Sequence, residues 1–232
     1  MSNLGTAKYR DTISPATEDY LRALYLLGRR NPDGQPVTTS QLAERLAVRP
    51  ASVTAMLQKL AAADPPLVAY HKSHGARLTD AGRRAALGVV RCHRLLELFL
   101  HEKLGYTWDE VHDEADRLEH VISPAMVERL AAALGHPTRD PHGHAIPDAN
   151  LTPTAAAFVP LTTLATGQSA VIEQVGDDDP ALLRRMAALG LLPGATLTVL
   201  AGAPALFIIL RPGETPLELP PDLATRLFVR RA

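Results

Sequence analysis

The residues able to do chemistry in this 232-residue chain are concentrated in its middle third, where seven of the nine histidines lie. The densest run is HDEADRLEH, residues 112–120. At about 100° per residue on a helix, His112, Asp116, Glu119 and His120 fall within an arc of about 100°, so four nitrogen and oxygen donors would share one face. A second pair, His93 and Glu97, is spaced i, i+4 and would also share a face. Two such helices packed side by side would gather six donors of the kind that hold a divalent cation. The alternative for HDEADRLEH is a solvated face whose acids pair with Arg117, and for His93–Glu97 a surface pair worth about 0.2–0.5 kcal/mol. Cys92, the one cysteine, excludes a disulfide framework and a cysteine-only metal site, which leaves hard and borderline ions. Cys92, His101 and His136 are read as packing or surface residues.

Enzymatic motifs are missing. There is no HExxH, no GxSxG and no glycine-rich phosphate loop, and D-x-x-E-H at 116–120 departs from the inverted zinc-protease motif by having Asp116 in place of histidine. The net charge of −1 conceals a gradient: residues 1–80 carry 10 Lys and Arg against 7 Asp and Glu, whereas 81–150 carry 8 against 11. The first part is suited to a polyanion and the second to a cation. Hydrophobic content of 46% is that of a globular protein, and no apolar run approaches the roughly 20 residues that span a bilayer. With no signal-peptide pattern at the N-terminus, the expected location is the cytoplasm.

The elements that must position these donors follow from local signals. Ser14-Pro15 opens a first helix that ends near Gly28. Ser40 is read as the cap of QLAERLAV, and Arg49-Pro50 separates that helix from ASVTAMLQKLAAA, which has Val53, Met56, Leu57 and Leu60 at helical spacing. Two short helices joined by a tight turn, with small residues opening the second, suit helix-turn-helix DNA binding. LVAYHKSHGARLT follows as a two-stranded ribbon turning at His74-Gly75, which completes a winged helix. On this reading Ser40, Arg49, Pro50, Ala51, Ser52 and Thr54 face DNA. Arg49, Ser52 and Thr54 read bases, and Lys72 and Arg77 on the wing contact phosphates. A helical hairpin in an unrelated core is the alternative. Thr79 then caps a long helix to about Leu104, Thr107 to Glu110 is a capping box, and Ser123-Pro124 opens a third helix ending near Gly135. Such a helical module commonly supplies a dimer interface. Five prolines and one glycine between His136 and Pro160 predict an irregular linker, after which SAVIEQV, ATLTVL, ALFIIL and ATRLFVRR predict a small β-barrel interrupted by the helix PALLRRMAALG. The expected fold is mainly α with a small β part: a winged helix-turn-helix domain over 1–78, a helical metal-binding and dimerisation domain over 79–147, a linker over 148–160 and an SH3-like β-barrel over 161–232.

TEDYLRALY, LAERLAVRPASVTAMLQKL, HRLLE, VHDEADRLEH and DPHGHAIP together resemble the diphtheria-toxin-repressor family of metal-dependent transcriptional regulators, in particular its manganese-responsive branch with an SH3-like domain. The likeness runs over almost the whole chain. It implies a primary metal site of Asp19, Asp116, Glu119 and His120. It also implies an ancillary site of His93, Glu97 and His112, completed by Asp179 from the third domain, where Leu182 replaces a second polar ligand. Iron-type relatives carry methionine and cysteine where this chain has Asp19 and Asp116, and carboxylates in place of soft sulfur favour Mn(II), with Fe(II) also accepted by such a set. The two-domain manganese regulators have a glutamate where this chain has Arg22, which argues against a paired-manganese cluster. The resemblance further implies a homodimer that binds a pseudo-palindromic double-stranded operator and represses metal-uptake genes, without catalysis and without a membrane. A metal-dependent hydrolase or a metal store is the alternative from another class, and metal-dependent binding of promoter DNA discriminates between the two.

Overall fold

The computed structural model describes residues 13–31, 34–152, 158–176, 179–203 and 206–232. Two compact units divide them. The first takes the described residues up to His93 with Glu119–Arg129 and those from Pro147 to 152, and the second takes Arg94–Leu118, Leu130–Ile146 and the described residues from 158 onward.

In the first unit, α1 (Pro15–Arg30) starts where Ser14 Oγ accepts the Thr17 amide at 3.3 Å and proline occupies the first turn, and it runs two residues beyond the expected Gly28. Helices α2 (Thr39–Arg45) and α3 (Pro50–Ala61) follow. The cap of α2 is Thr38 and not Ser40: Thr38 and Gln41 form a reciprocal capping box, with the Gln41 amide at 3.2 Å from Thr38 Oγ1 and the Thr38 amide at 2.9 Å from Gln41 Oε1. Ser40 is consequently an exposed residue of the first turn. The wing is β1 (Val68–His71) paired antiparallel with β2 (Gly75–Leu78), His71 opposite Gly75. Val37 adds a bridge to Ala76, donating to its carbonyl at 2.9 Å and accepting its amide at 2.8 Å. That bridge explains Gly75, whose φ is +90° and where an added Cβ would stand 2.4 Å from the Val37 carbonyl oxygen. Leu21, Leu24, Leu42, Val53, Leu57, Val68 and Ala86 form the core beneath the helix pair. Each fully buried leucine there contributes about 1.5–3 kcal/mol relative to exposure.

Three helices complete the helical part: α4 (Asp80–Leu104), which runs through both units, α5 (Val111–Leu118) and α6 (Pro124–Ala133). In the second unit a six-stranded antiparallel sheet has the order β3-β8-β4-β5-β6-β7, with β3 Val159–Pro160, β4 Ser169–Val175, β5 Thr196–Ala203, β6 Leu206–Leu210, β7 Leu217–Leu219 and β8 Leu227–Arg231. Helix α7 (Pro180–Ala188) follows β4, and α8 (Pro221–Ala224) precedes β8. Bulges between Ile172 and Gln174 and between Val199 and Ala201 bend β4 and β5, which curls the sheet into the SH3-like form. Ile172, Leu183, Met186, Leu197, Ile209 and Leu219 fill its interior, and Trp108, ahead of α5, is buried with them.

Within the stretch expected to be irregular, His142 and Gly143 are pinned to this sheet. The Val175 amide donates to the His142 carbonyl at 2.9 Å, and a Cβ on Gly143 would stand 2.0 Å from the Glu173 carbonyl oxygen. Proline-rich composition signals an absence of helix and strand, but at these two residues the backbone is nonetheless held in place.

Candidate metal centre and nucleic-acid interface

Asp19, Glu119 and His120 each offer a donor atom, and these atoms lie within 4.8 Å of one another. Asp19 comes from the first turn and a half of α1. Glu119 and His120 come from the turn after α5, because the helix stops at Leu118. The expectation that one helix face carries four donors is therefore corrected: the donors divide where the helix ends. The turn is held by tertiary contacts that no local pattern reveals. Arg22, one helical turn after Asp19, places Nη1 at 2.8 and 3.0 Å from the two Glu119 carboxylate oxygens and 2.7 Å from His93 Nδ1. His93 Nδ1 is itself 2.8 Å from Glu119 Oε2, and the Cys92 thiol donates to the Glu119 carbonyl at 3.6 Å. The Glu119 side chain is fully buried, so this guanidinium is what makes its charge tolerable.

His120 stands between two acids of α1. Its Nδ1 is 2.6 Å from Glu18 Oε2 and its Nε2 is 3.1 Å from Asp19 Oδ1. Glu18 is buried and was not among the expected site residues. Burial pushes the Asp19 carboxyl above the ordinary carboxylate range, while His120 and Arg22 pull in the opposite direction. A set of two carboxylates and an imidazole, with no sulfur, fits a hard or borderline divalent ion.

The second set is built on α4 and α5. Glu97 Oε1 lies 3.0 Å from His112 Nδ1, and His93 precedes Glu97 by one turn of α4. Asp116 projects beside His112, its carboxylate 3.9 Å from Nε2, and belongs to the second unit. Asp179 does not join any of these groups of donors among the described residues. It is the N-cap of α7, its carboxylate accepting the Ala181 amide at 2.9 Å and the Leu182 amide at 3.2 Å, and Leu182 is buried in the barrel core. Free amides at a helix start are a ready sink for a carboxylate, and Asp179 is engaged there.

A third group lies outside the residues expected to bind a metal. Asp140, His142 and His144 are buried with donor atoms within 4.8 Å of one another. Asp140 Oδ1 accepts the His142 and His144 amides at 2.9 Å each, and His142 Nε2 donates to the Trp108 carbonyl at 2.9 Å. Spacing i, i+2, i+4 within DPHGH was the available signal, hidden by the expectation of an irregular linker.

The residues expected to face DNA lie at the surface of the first unit, with Thr54 half-buried. Ala47, with φ of +52°, turns the chain between α2 and α3, and the Val48 amide donates back to Ala43 at 3.0 Å. Arg49, Pro50, Ala51 and Ser52 are exposed at the start of α3. Thr54 is half-buried and donates its hydroxyl to the Pro50 carbonyl at 3.1 Å, leaving the hydroxyl oxygen to accept. Lys72 and Arg77 are exposed on the wing. Among the described residues no helix is long and apolar enough to cross a membrane.

Comparison with known proteins matches three stretches to family profiles. Residues 12–76 match the iron dependent repressor N-terminal DNA binding domain, 79–148 the iron dependent repressor metal binding and dimerisation domain, and 159–231 the FeoA domain. The iron-dependent repressor IdeR of Mycobacterium leprae is 34% identical over 227 residues, covering 93% of this chain and 96% of that protein. Among solved structures, a manganese-dependent transcriptional repressor in complex with manganese superposes with a TM-score of 0.86 at 35% identity, over 93% of this chain and all of that one. ScaR with bound Zn2+ superposes at 0.77 and 32% identity, over 93% of this chain and 99% of that one.

Proposed function

The chain belongs to the iron-dependent repressor family of metal-dependent transcriptional repressors, and on that premise we propose that it binds operator DNA as a homodimer when Mn(II) is held by Asp19, Asp116, Glu119 and His120. The members of this family are repressors and not enzymes, so the hydrolase and metal-store readings drop out. The observation that carries the proposal is the convergence of Asp19, Glu119 and His120, with no sulfur donor among them. The metal supplies a positive charge that these three donors can share. Their placement gives that charge leverage: Asp19 is on the helix that leads into the winged-helix core, whereas Glu119 and His120 lie in the turn that leads into α6. Joining them restricts how far the helix-turn-helix can move against the helical segment, and in a dimer this sets the separation of the two α3 helices, which must match half-sites about 34 Å apart. Metal then selects the DNA-competent arrangement because it binds that arrangement more tightly.

Mn(II) is favoured over Fe(II) in this reading because carboxylates stand where iron-type relatives have sulfur. His93, Glu97 and His112 form the ancillary set, without Asp179 as a ligand. Arg49, Ser52 and Thr54 read base edges, and Ser40, Pro50, Ala51, Lys72 and Arg77 border the duplex. Metal-stripped protein titrated against promoter DNA by fluorescence anisotropy, with Mn(II), Fe(II) or chelator, tests the proposal. Binding that needs metal and is lost in Asp19→Ala and His120→Ala supports it. Equal binding with and without chelator overturns it.

A further inference from the structure

The contacts around His120 assign a role to Glu18, and the assignment rests on the primary-site reading above. His120 Nδ1 is 2.6 Å from Glu18 Oε2, while Nε2 looks the other way, 3.1 Å from Asp19 Oδ1 and 3.5 Å from Glu119 Oε1. An ionised carboxylate can only accept, so the 2.6 Å contact requires the hydrogen on Nδ1. By the same rule the 3.1 Å contact to Asp19 Oδ1 calls for a hydrogen on Nε2; that is the hydrogen a metal ion would displace, leaving Nδ1–H on Glu18 and the Nε2 lone pair toward the two other donors. The Glu18 side chain is 5% exposed and the His120 side chain 16%, so the contact is sheltered from competing water. Glu18 and Asp19 are successive residues of α1, and the helix's turn of about 100° per residue is what lets one backbone segment grip the ring from two sides.

We propose that Glu18 is a positioning residue for the metal site: it holds His120 in the Nδ1–H tautomer and in the ring orientation that aims Nε2 at the ion, without itself being a ligand. A carboxylate behind a ligating imidazole also raises its basicity, and loss of such a partner characteristically weakens metal binding by about 10–100-fold.

The test uses the full-length chain and two measurements. One is the Mn(II) dissociation constant by calorimetry. The other is the tautomer of the neutral His120 ring in metal-free protein, read from imidazole nitrogen and carbon NMR shifts at a pH where the ring has lost one hydrogen. Glu18→Ala is expected to raise the Mn(II) dissociation constant by about 10–100-fold and to lose the Nδ1–H tautomer. Glu18→Gln keeps an acceptor oxygen and is expected to retain the tautomer with a smaller loss of affinity, a rescue that a merely space-filling role would not produce. Should Glu18→Ala fold poorly, the Glu18→Gln tautomer and affinity decide the matter alone: loss of the Nδ1–H form or unchanged affinity overturns the assignment. Mn(II) binding within two-fold of the native value in Glu18→Ala, or an unchanged tautomer there, also overturns it. His120→Ala separates the two levels of argument. If removing His120 leaves Mn(II) affinity intact, the primary site itself is wrong. If His120→Ala weakens binding and neither Glu18 variant does, only the positioning role fails.

Discussion

Replacing Arg22 by methionine tests the internal cation that the metal-free site relies on. Methionine keeps most of the side-chain length and removes the charge, so the perturbation is electrostatic more than steric. Glu119 is completely buried and takes both of its closest guanidinium contacts, at 2.8 and 3.0 Å, from the one Arg22 nitrogen. Removing one partner of such a pair leaves an uncompensated buried charge and costs about 3–5 kcal/mol. The nearby His93 ring, 2.8 Å from the same carboxylate, can offset part of that, which places the expected loss near the lower end, about 3 kcal/mol. Urea denaturation followed by circular dichroism in the presence of chelator reads it. In saturating Mn(II) the gap between Arg22→Met and native protein should shrink, since the ion supplies the charge that Glu119 has lost. The gap closes by the amount by which Arg22→Met binds Mn(II) more tightly than native protein does, and a 100-fold lower dissociation constant closes about 2.7 kcal/mol of it. A deficit below about 0.5 kcal/mol in chelator, the range of an ordinary surface change, would refute the buried-pair argument. A deficit that is the same with and without Mn(II) would show that Glu119 does not share its charge with the ion.

Asp19→Asn should stabilise the metal-free protein at neutral pH while removing its Mn(II) response: burial raises the Asp19 pKa, so the folded state holds that proton more tightly than the unfolded chain. Its contribution to stability falls as pH rises from about 4 through the raised value, and denaturation at several pH values should show that slope in the native chain and not in the variant. Lys72→Ala or Arg77→Ala should reduce the salt dependence of operator binding by about one unit with base preference unchanged, whereas Arg49→Ala or Ser52→Ala should relax preference at particular base pairs. A wing variant that altered base preference at constant salt slope would reverse those assignments. Asp179→Ala should cost about 1 kcal/mol of stability as a lost helix cap and leave the Mn(II) response of DNA binding unchanged. A weakened Mn(II) response at intact stability would return Asp179 to the ligand set.

Elements whose signals are local were legible in the chain. Ser14-Pro15 marks the start of α1, the apolar period of α3 turns Val53, Leu57 and Leu60 inward, and the residues around Gly75 close the wing, because caps, helical period and turn chemistry act over a few neighbouring residues. The capping of α2 was less legible, since Thr38 and Ser40 are both competent hydroxyls. Gln41, positioned to complete the box with Thr38 and to donate to the Asn31 side chain at 3.1 Å, settles it for Thr38. The donor types were legible too: Glu97, His112, Glu119 and His120 are recognisable by type and spacing, and Asp19 by the likeness to a known family. Their grouping followed only from that likeness, and not from type and spacing. It depends on Arg22 reaching across 97 residues to Glu119 and on Glu18 reaching across 102 to His120, and pairings over such separations leave no period in the chain. The same folded context engages the Asp179 carboxylate with the amides at the start of α7, and brings Asp140, His142 and His144 together in a stretch whose prolines advertised only disorder of pattern. Local chemistry decides which side chains can bind a metal, and long-range packing decides which of them meet, because only the folded chain brings distant donors within a few ångströms while withholding the water that would otherwise satisfy them.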